Sequence, residues 1–235
     1  MDSAKNIDFS TIKLIIFDLD GTLIPLHERF YAVWRDTLNK FNLRNLPWEE
    51  FMCRIEQDTL METLDPALRQ PFMNSFLSSY SQYRSPDEVP IPGAREVLAQ
   101  LKTAGFKLAL ATGRISSIED LADEMKNLNL DELFDVITAK SEEEVFDSLH
   151  LKNRQIKYIL DKLNVPPSDT LIVGDYITDI RSGKLMGLKT IAVLSSRVTK
   201  EILKKEEPDM IIESIKTLSQ VIFDEPISKQ KRRKK

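Results

Sequence analysis

Two aspartates stand two residues apart at the end of an apolar run, in Phe17-Asp18-Leu19-Asp20-Gly21-Thr22. Two more acids come in Gly174-Asp175-Tyr176-Ile177-Thr178-Asp179, and Thr112-Gly113-Arg114 sets a hydroxyl beside a glycine. If these segments converge, their carboxylates repel one another by about 4 kcal/mol for each pair ~4 Å apart at an effective dielectric near 20. Retained protons or a divalent cation must offset that cost, and an all-oxygen ligand set suits Mg2+. Such a cation would also neutralise a phosphate, which carries about −1.5 to −2 charge at neutral pH. The acids therefore point to phosphoryl transfer. Cys53 is the only cysteine and there are two histidines, His27 and His150, which makes a weak case for zinc.

Successive side chains of a strand point to opposite faces, so Asp18 and Asp20 project to the same side. Asp18 is the candidate nucleophile, forming an aspartyl phosphate. Asp20 is the candidate general acid for the leaving oxygen and the base that later activates water, a role contributing about 10²- to 10⁴-fold. Thr112 and the backbone amides after it, beginning at Gly113, are expected at a helix N-terminus and would bind phosphate oxygens, together with positions Leu19 and Asp20. One more cation is needed to balance the transferring phosphoryl oxygens. Lys152 is chosen because it opens the helical pattern that follows it; Lys140 and Lys157 are its rivals. Singly, each segment has a plainer reading: Asp-Gly as a turn, Thr112 or Asp179 as a helix cap, Lys152 as a solvated charge. Their joint order at strand ends and helix starts favours a site.

The elements that must position these residues can be read from periodicity. Lys13 to Leu19 is continuously apolar and β-branched, as a strand buried on both faces should be. Similar runs occupy Lys107 to Ala111, Phe134 to Ile137, Thr170 to Val173 and Lys189 to Val193. Helical patterns alternate with them at Gly93 to Ala104, Asn153 to Leu163 and Asp179 to Met186, the last closed by Gly187 as a left-handed cap. Strand then helix, repeated, predicts an α/β fold with a Rossmann-like parallel sheet covered by helices. From Pro25 to about Val89 no strand is evident. Helices are expected near His27 to Phe41, Trp48 to Met61 and Pro66 to Tyr83, an α-helical domain inserted after the first strand. Trp34 and Trp48 are assigned to its small core. The predicted division is a core of residues 1–24 and 90–226, an insert of 25–89 and a basic tail of 227–235.

Hydrophobic residues make up 42% and charged residues 30% of the 235, a balance that excludes a disordered or membrane-spanning chain. No run reaches the roughly 18 apolar residues of a membrane span, and the N-terminus lacks the order of a signal peptide, so a cytoplasmic protein is expected. Six positive charges fall in the last seven residues, and removing them from the net −4 leaves −10 for the rest. An acidic body, and a tail without aromatic residues, argue against a dedicated nucleic-acid binder and for a solvated terminus.

The segments FDLDGT, LATGR, a lysine before a helix and VGDYITD resemble the four motifs of the haloacid dehalogenase superfamily, across nearly the whole chain. The helical insert is similar to the cap of its phosphoglycolate phosphatase-like branch. That resemblance implies a phosphorylated Asp18, Mg2+ held by Asp18, the backbone carbonyl of Asp20 and Asp175, and Asp179 supporting the metal or the lysine. It implies a cap that closes over a small phosphorylated metabolite and sets specificity, in a monomer or homodimer. Two departures stand out: Lys152 is followed by Asn153 instead of proline, and Pro25-Leu26 replaces the usual acid and small polar residue.

Within the superfamily, Asp20 disfavours the dehalogenases and phosphonate-cleaving members, whose leaving groups need no such acid. A sugar phosphomutase is the enzymatic alternative. A phospho-accepting receiver domain, the alternative from another class, has no long insert after its first strand and places its phosphorylated aspartate on a later one. A catalytically dead binding protein finds no support, since no motif residue is missing. The natural substrate has no portable motif in this sequence.

Overall fold

The run KLIIFDL becomes β1 (Leu14–Phe17), the most buried strand of a six-stranded, fully parallel sheet. The computed structural model describes residues 7–83, 88–140, 152–195 and 198–223. The basic tail and the acidic stretch before Lys152 fall outside them. All four residues of β1 are fully buried, but on alternate faces. Ile15 and Phe17 pack with Val97, Leu98 and Leu121 on one side, while Leu14 and Ile16 pack with Ile156 and Ile159 on the other. Burial of each such side chain stabilises by about 1.5–3 kcal/mol.

The remaining strands are β2 (Lys107–Ile115), β3 (Val136–Lys140), β4 (Thr170–Gly174), β5 (Lys189–Val193) and β6 (Met210–Ile212), in the order β3-β2-β1-β4-β5-β6. The chain builds outward from β1 to β3, then returns to the other side of β1 for β4. At such a reversal the crossovers lie on opposite faces and leave a crevice beyond the carboxyl ends of the strands, here of β1 and β4. Asp18 follows β1 and Asp175 follows β4. The amide of Asp18 donates to the carbonyl of Val173 at 2.9 Å, holding the first acid against the segment that carries Asp175.

Nine helices are present among the described residues: α1 (His27–Lys40), α2 (Trp48–Glu56), α3 (Pro66–Gln82), α4 (Ala94–Thr103), α5 (Ile118–Asn127), α6 (Asn153–Leu163), α7 (Ile177–Leu185), α8 (Lys200–Lys205) and α9 (Thr217–Phe223). The Rossmann-like α/β architecture expected from the alternation is the one found. Three helices, α1 to α3, fill the stretch after β1 and share their own apolar cluster, which includes Trp34, Phe51, Phe72 and Phe76. Trp34 is buried there as expected, whereas Trp48 is 36% exposed. The second of these helices stops at Glu56 instead of Met61, because Asp58 adopts φ +56° and turns the chain. The insert returns beside its own departure point: the amide of Ile91 donates to the carbonyl of Leu23 at 2.8 Å.

One local expectation is corrected. Thr112 is not at a helix N-terminus: β2 runs on through Thr112, Gly113 and Arg114 to Ile115, and α5 starts at Ile118 with Ser117 as its cap. The strand continues because β3 pairs with it as far as Lys140, across a shift in register between Ala111 and Ile115. The edge strand β6 was not anticipated. It is three residues long, too short to show a period. The left-handed Gly187 (φ +75°) after α7 is as expected.

Candidate active site

The carboxylates of Asp18, Asp175 and Asp179 lie within 4.8 Å of one another, all three buried. Their approach depends on two glycines. A Cβ on Gly21 would come within 2.1 Å of Asp175 Oδ2, and one on Gly174 within 2.3 Å of Asp179 Cγ, so both turns can form only without side chains. Gly21 also has φ +85°, a conformation that penalises every residue with a Cβ. Asp175 is further held by Ser195, whose hydroxyl donates to Oδ2 at 2.7 Å. Asp179 occupies the third position of α7 and accepts from the amide of Tyr176 at 3.2 Å, so it caps its helix while facing the other acids.

Lys152 closes the cluster. Its Nζ donates to Asp18 Oδ1 and pairs with Asp179 Oδ1 at 2.6 Å, and its backbone amide donates to Ser182 of α7 at 2.9 Å. Burial works against the charge on Lys152, but Asp179 and then Asp18 more than offset it and hold its pKa above the ordinary lysine value. Asp18 shows the opposite balance. Burial pushes it up to about 8 against the pull of Lys152, and Asp179, Asp175 and Asp20 push the same way. One ammonium is insufficient for three buried carboxylates, and the shortfall is what a hard divalent cation would fill. Of the rival lysines, Lys157 is exposed and pairs with Asp161 at 2.9 Å. Lys140 is buried at the end of β3 and reaches the cavity described next.

A cavity of about 460 Å³ lies between the sheet and the helical insert, and Asp18, Asp20, Gly113, Lys152 and Asp179 all line it. Thr112 does not. Its hydroxyl accepts from the amide of Arg114 at 3.2 Å and its carbonyl from Gln155 at 2.9 Å. Leu19 turns its side chain into the core, so only its backbone is available.

Asp20 points away from the three clustered acids into a second charged network. Arg114 grips it with both arms, Nε to Oδ2 at 2.7 Å and Nη2 to Oδ1 at 2.6 Å, and Tyr80 of α3 donates its hydroxyl to Oδ1 at 2.8 Å. Burial raises the Asp20 pKa, but the charge and hydrogen bonds of Arg114 outweigh it and lower the group to about 2. Glu124 of α5 joins Arg114 to Arg29 of α1, which lies 2.9 Å away and also donates to the carbonyls of Tyr80 and Tyr83. Sequence reasoning missed all four of these residues. Arg114 would have been found only by carrying the strand on past Thr112, which Gly113 disguises. Arg29, Tyr80 and Glu124 carry no pattern of their own.

A family model described as haloacid dehalogenase-like hydrolase matches residues 15–193, from β1 through the final residue of β5. The chain belongs to the haloacid dehalogenase-like hydrolases. The resemblance read from the four motifs holds, and this member of the family is a hydrolase. Among curated relatives, the pyrophosphatase PpaX of Bacillus pumilus is 28% identical over 216 residues, covering 91% of this chain and 97% of that protein. The PpaX of Bacillus mycoides is 25% identical over 224 residues. Of solved structures, a predicted phosphatase from Clostridium acetobutylicum shares the fold with a TM-score of 0.74 at 23% identity, over 91% of this chain and 99% of that one. None of the described helices is long and apolar enough to cross a membrane.

Proposed function

We propose that this hydrolase is a magnesium-dependent phosphatase that cleaves a small phosphomonoester through an aspartyl phosphate on Asp18. The observation that carries the reading is a single cavity lined by a buried aspartate, its lysine partner and a second acid, beside three converging carboxylates. Mg2+ held by Asp18, Asp175 and Asp179, with the backbone carbonyl of Asp20, would supply the positive charge that the cluster and a phosphate both require.

In the first step a carboxylate oxygen of Asp18 forms a bond to phosphorus as the ester P–O bond breaks. The leaving oxygen takes a proton from Asp20. In the second, Asp20 removes a proton from water, the water oxygen bonds to phosphorus and the Asp18–phosphorus bond breaks. The balance is R–O–PO₃²⁻ + H₂O → R–OH + HPO₄²⁻. Lys152 stays charged and steadies both Asp18 and the phosphoryl oxygens, aided by the backbone at Leu19 and Gly113 and by Thr112 behind it. Asp20 gripped by Arg114 is a carboxylate, the form the second step needs; the first step requires it to leave Arg114 and take up a proton. Since Tyr80 and Arg29 belong to the insert, movement of the insert and release of Asp20 are one event in this reading.

The test is hydrolysis of para-nitrophenyl phosphate with Mg2+ by the purified protein, and its loss in Asp18→Asn. Undiminished turnover by the variant would remove Asp18 from the nucleophile's role. Pyrophosphate, the substrate in the printed name of the PpaX relatives, is the natural comparator in the same assay.

A further inference from the structure

The wall of the cavity opposite the acids is built from two helical stripes. On α1 and the residue preceding it, Leu26, Phe30 and Trp34 recur every four positions; on α3, Met73, Phe76 and Leu77 form a second stripe. Such stripes ordinarily make core, and Trp34 and Phe76 do pack there. These, however, also bound open space continuous with Asp18 and Lys152. About 460 Å³ falls among cavities that enclose organic ligands, roughly 300–1,000 Å³.

Charge on this wall is sparse. Arg114 is committed to Asp20 and Glu124. Asp58, on the wall, accepts from the Tyr176 hydroxyl at 2.7 Å and adds a negative group. Arg69 is the one cation from the insert on this wall among the described residues, and it meets no carboxylate there. Set against Leu26, Phe30, Met73 and Leu77, a second phosphate or a sugar ring would lose its hydration without replacement partners, and would have to reach a group such as Arg69 or Gln70 instead. The indole N–H of Trp34 has no hydrogen-bond acceptor among the described residues, but it is enclosed in the core of the insert and does not open onto the cavity.

Building on the phosphatase reading above, we propose that the group leaving with the ester oxygen is an apolar, ring-sized body. The substrate is thus an aryl or arylalkyl phosphomonoester and not pyrophosphate, phosphoglycolate or a sugar phosphate. The phosphate sits at Asp18 and Lys152, and the ring lies against Phe30 and Met73.

The test compares 2-phenylethyl phosphate with ethyl phosphate, whose alcohols are of similar acidity, alongside pyrophosphate and phosphoglycolate. The phenylethyl ester should show a kcat/KM higher by roughly 10- to 100-fold, as burial of one ring implies. The ratio should shrink in Met73→Glu. Binding of the same esters to Asp18→Asn, followed by calorimetry, separates this inference from the phosphatase reading. If nothing is turned over but the phenylethyl ester binds at least 10-fold tighter than the ethyl ester, the phosphatase reading fails and the apolar site stands. If the two bind equally, or pyrophosphate or phosphoglycolate is the better substrate, the apolar site is overturned.

Discussion

Lys152→Met keeps most of the aliphatic stem and removes the charge that lies against Asp18 and 2.6 Å from Asp179. All three side chains are buried, with exposures of 4%, 6% and 1%, so solvent does little to screen the loss. Breaking a buried pair from one side costs about 3–5 kcal/mol. At roughly 2–4 °C per kcal/mol for a chain of this size, the metal-free variant should melt about 6–20 °C below the wild type. Removing a cation from among carboxylates does not weaken their hold on another, so Mg2+ at 100 times its Kd should restore about 2.7 kcal/mol. Activity should not return with it. Loss of a preorganised charge at the reacting oxygens costs about 10²- to 10³-fold in kcat. The assays are thermal melts with and without Mg2+ and steady-state kinetics at saturating Mg2+. A variant within 10-fold of wild-type kcat, or one that Mg2+ no longer stabilises, would refute the placement of Lys152 between metal cluster and phosphate. In the first case Lys140, the other buried lysine on the cavity, becomes the residue to replace.

Two further outcomes are expected. With its pKa pushed up to about 8, Asp18 in the metal-free protein still holds a proton at pH 7, so Mg2+ binding should release close to one proton there and progressively less as pH rises through 8; a calorimetric enthalpy that does not vary with the ionisation heat of the buffer would contradict this. Arg114→Gln removes the group that lowers Asp20 to about 2 and leaves burial to raise it, so the alkaline limb of kcat/KM, along which the protonated acid of the first step is lost, should move up by about one pH unit or more, partly reversed in Arg114→Lys; an unmoved limb would show that Arg114 does not position Asp20.

The sheet was legible in the sequence because a parallel strand buried on both faces writes itself as an unbroken apolar run, as Leu14 to Phe17 does. The acids were legible because they follow such runs directly. What escaped was set by tertiary contact. Nothing local distinguishes Tyr80 from Phe72 and Phe76 on the same stripe of α3; only the fold shows that its hydroxyl meets Asp20. The extension of β2 past Thr112 was hidden by Gly113, which reads as a break, and is imposed by pairing with β3. Arg29 and Glu124 lie far apart in the chain and find each other only across the insert and the core.

The departure and return of the helical insert meet at one backbone hydrogen bond, Ile91 to Leu23. For the sheet, the chain between Leu23 and Ile91 is therefore a detour between two points already joined. Lengthening or exchanging such a detour is cheap in chain entropy, about 0.6 kcal/mol for each doubling, and leaves strand order and register untouched. Mutation can rewrite the stripes on α1 and α3 while the strand ends keep their acids in place. What the molecule acts upon is thus open to change apart from the acids at the strand ends, with Tyr80 the point at which the insert still reaches Asp20.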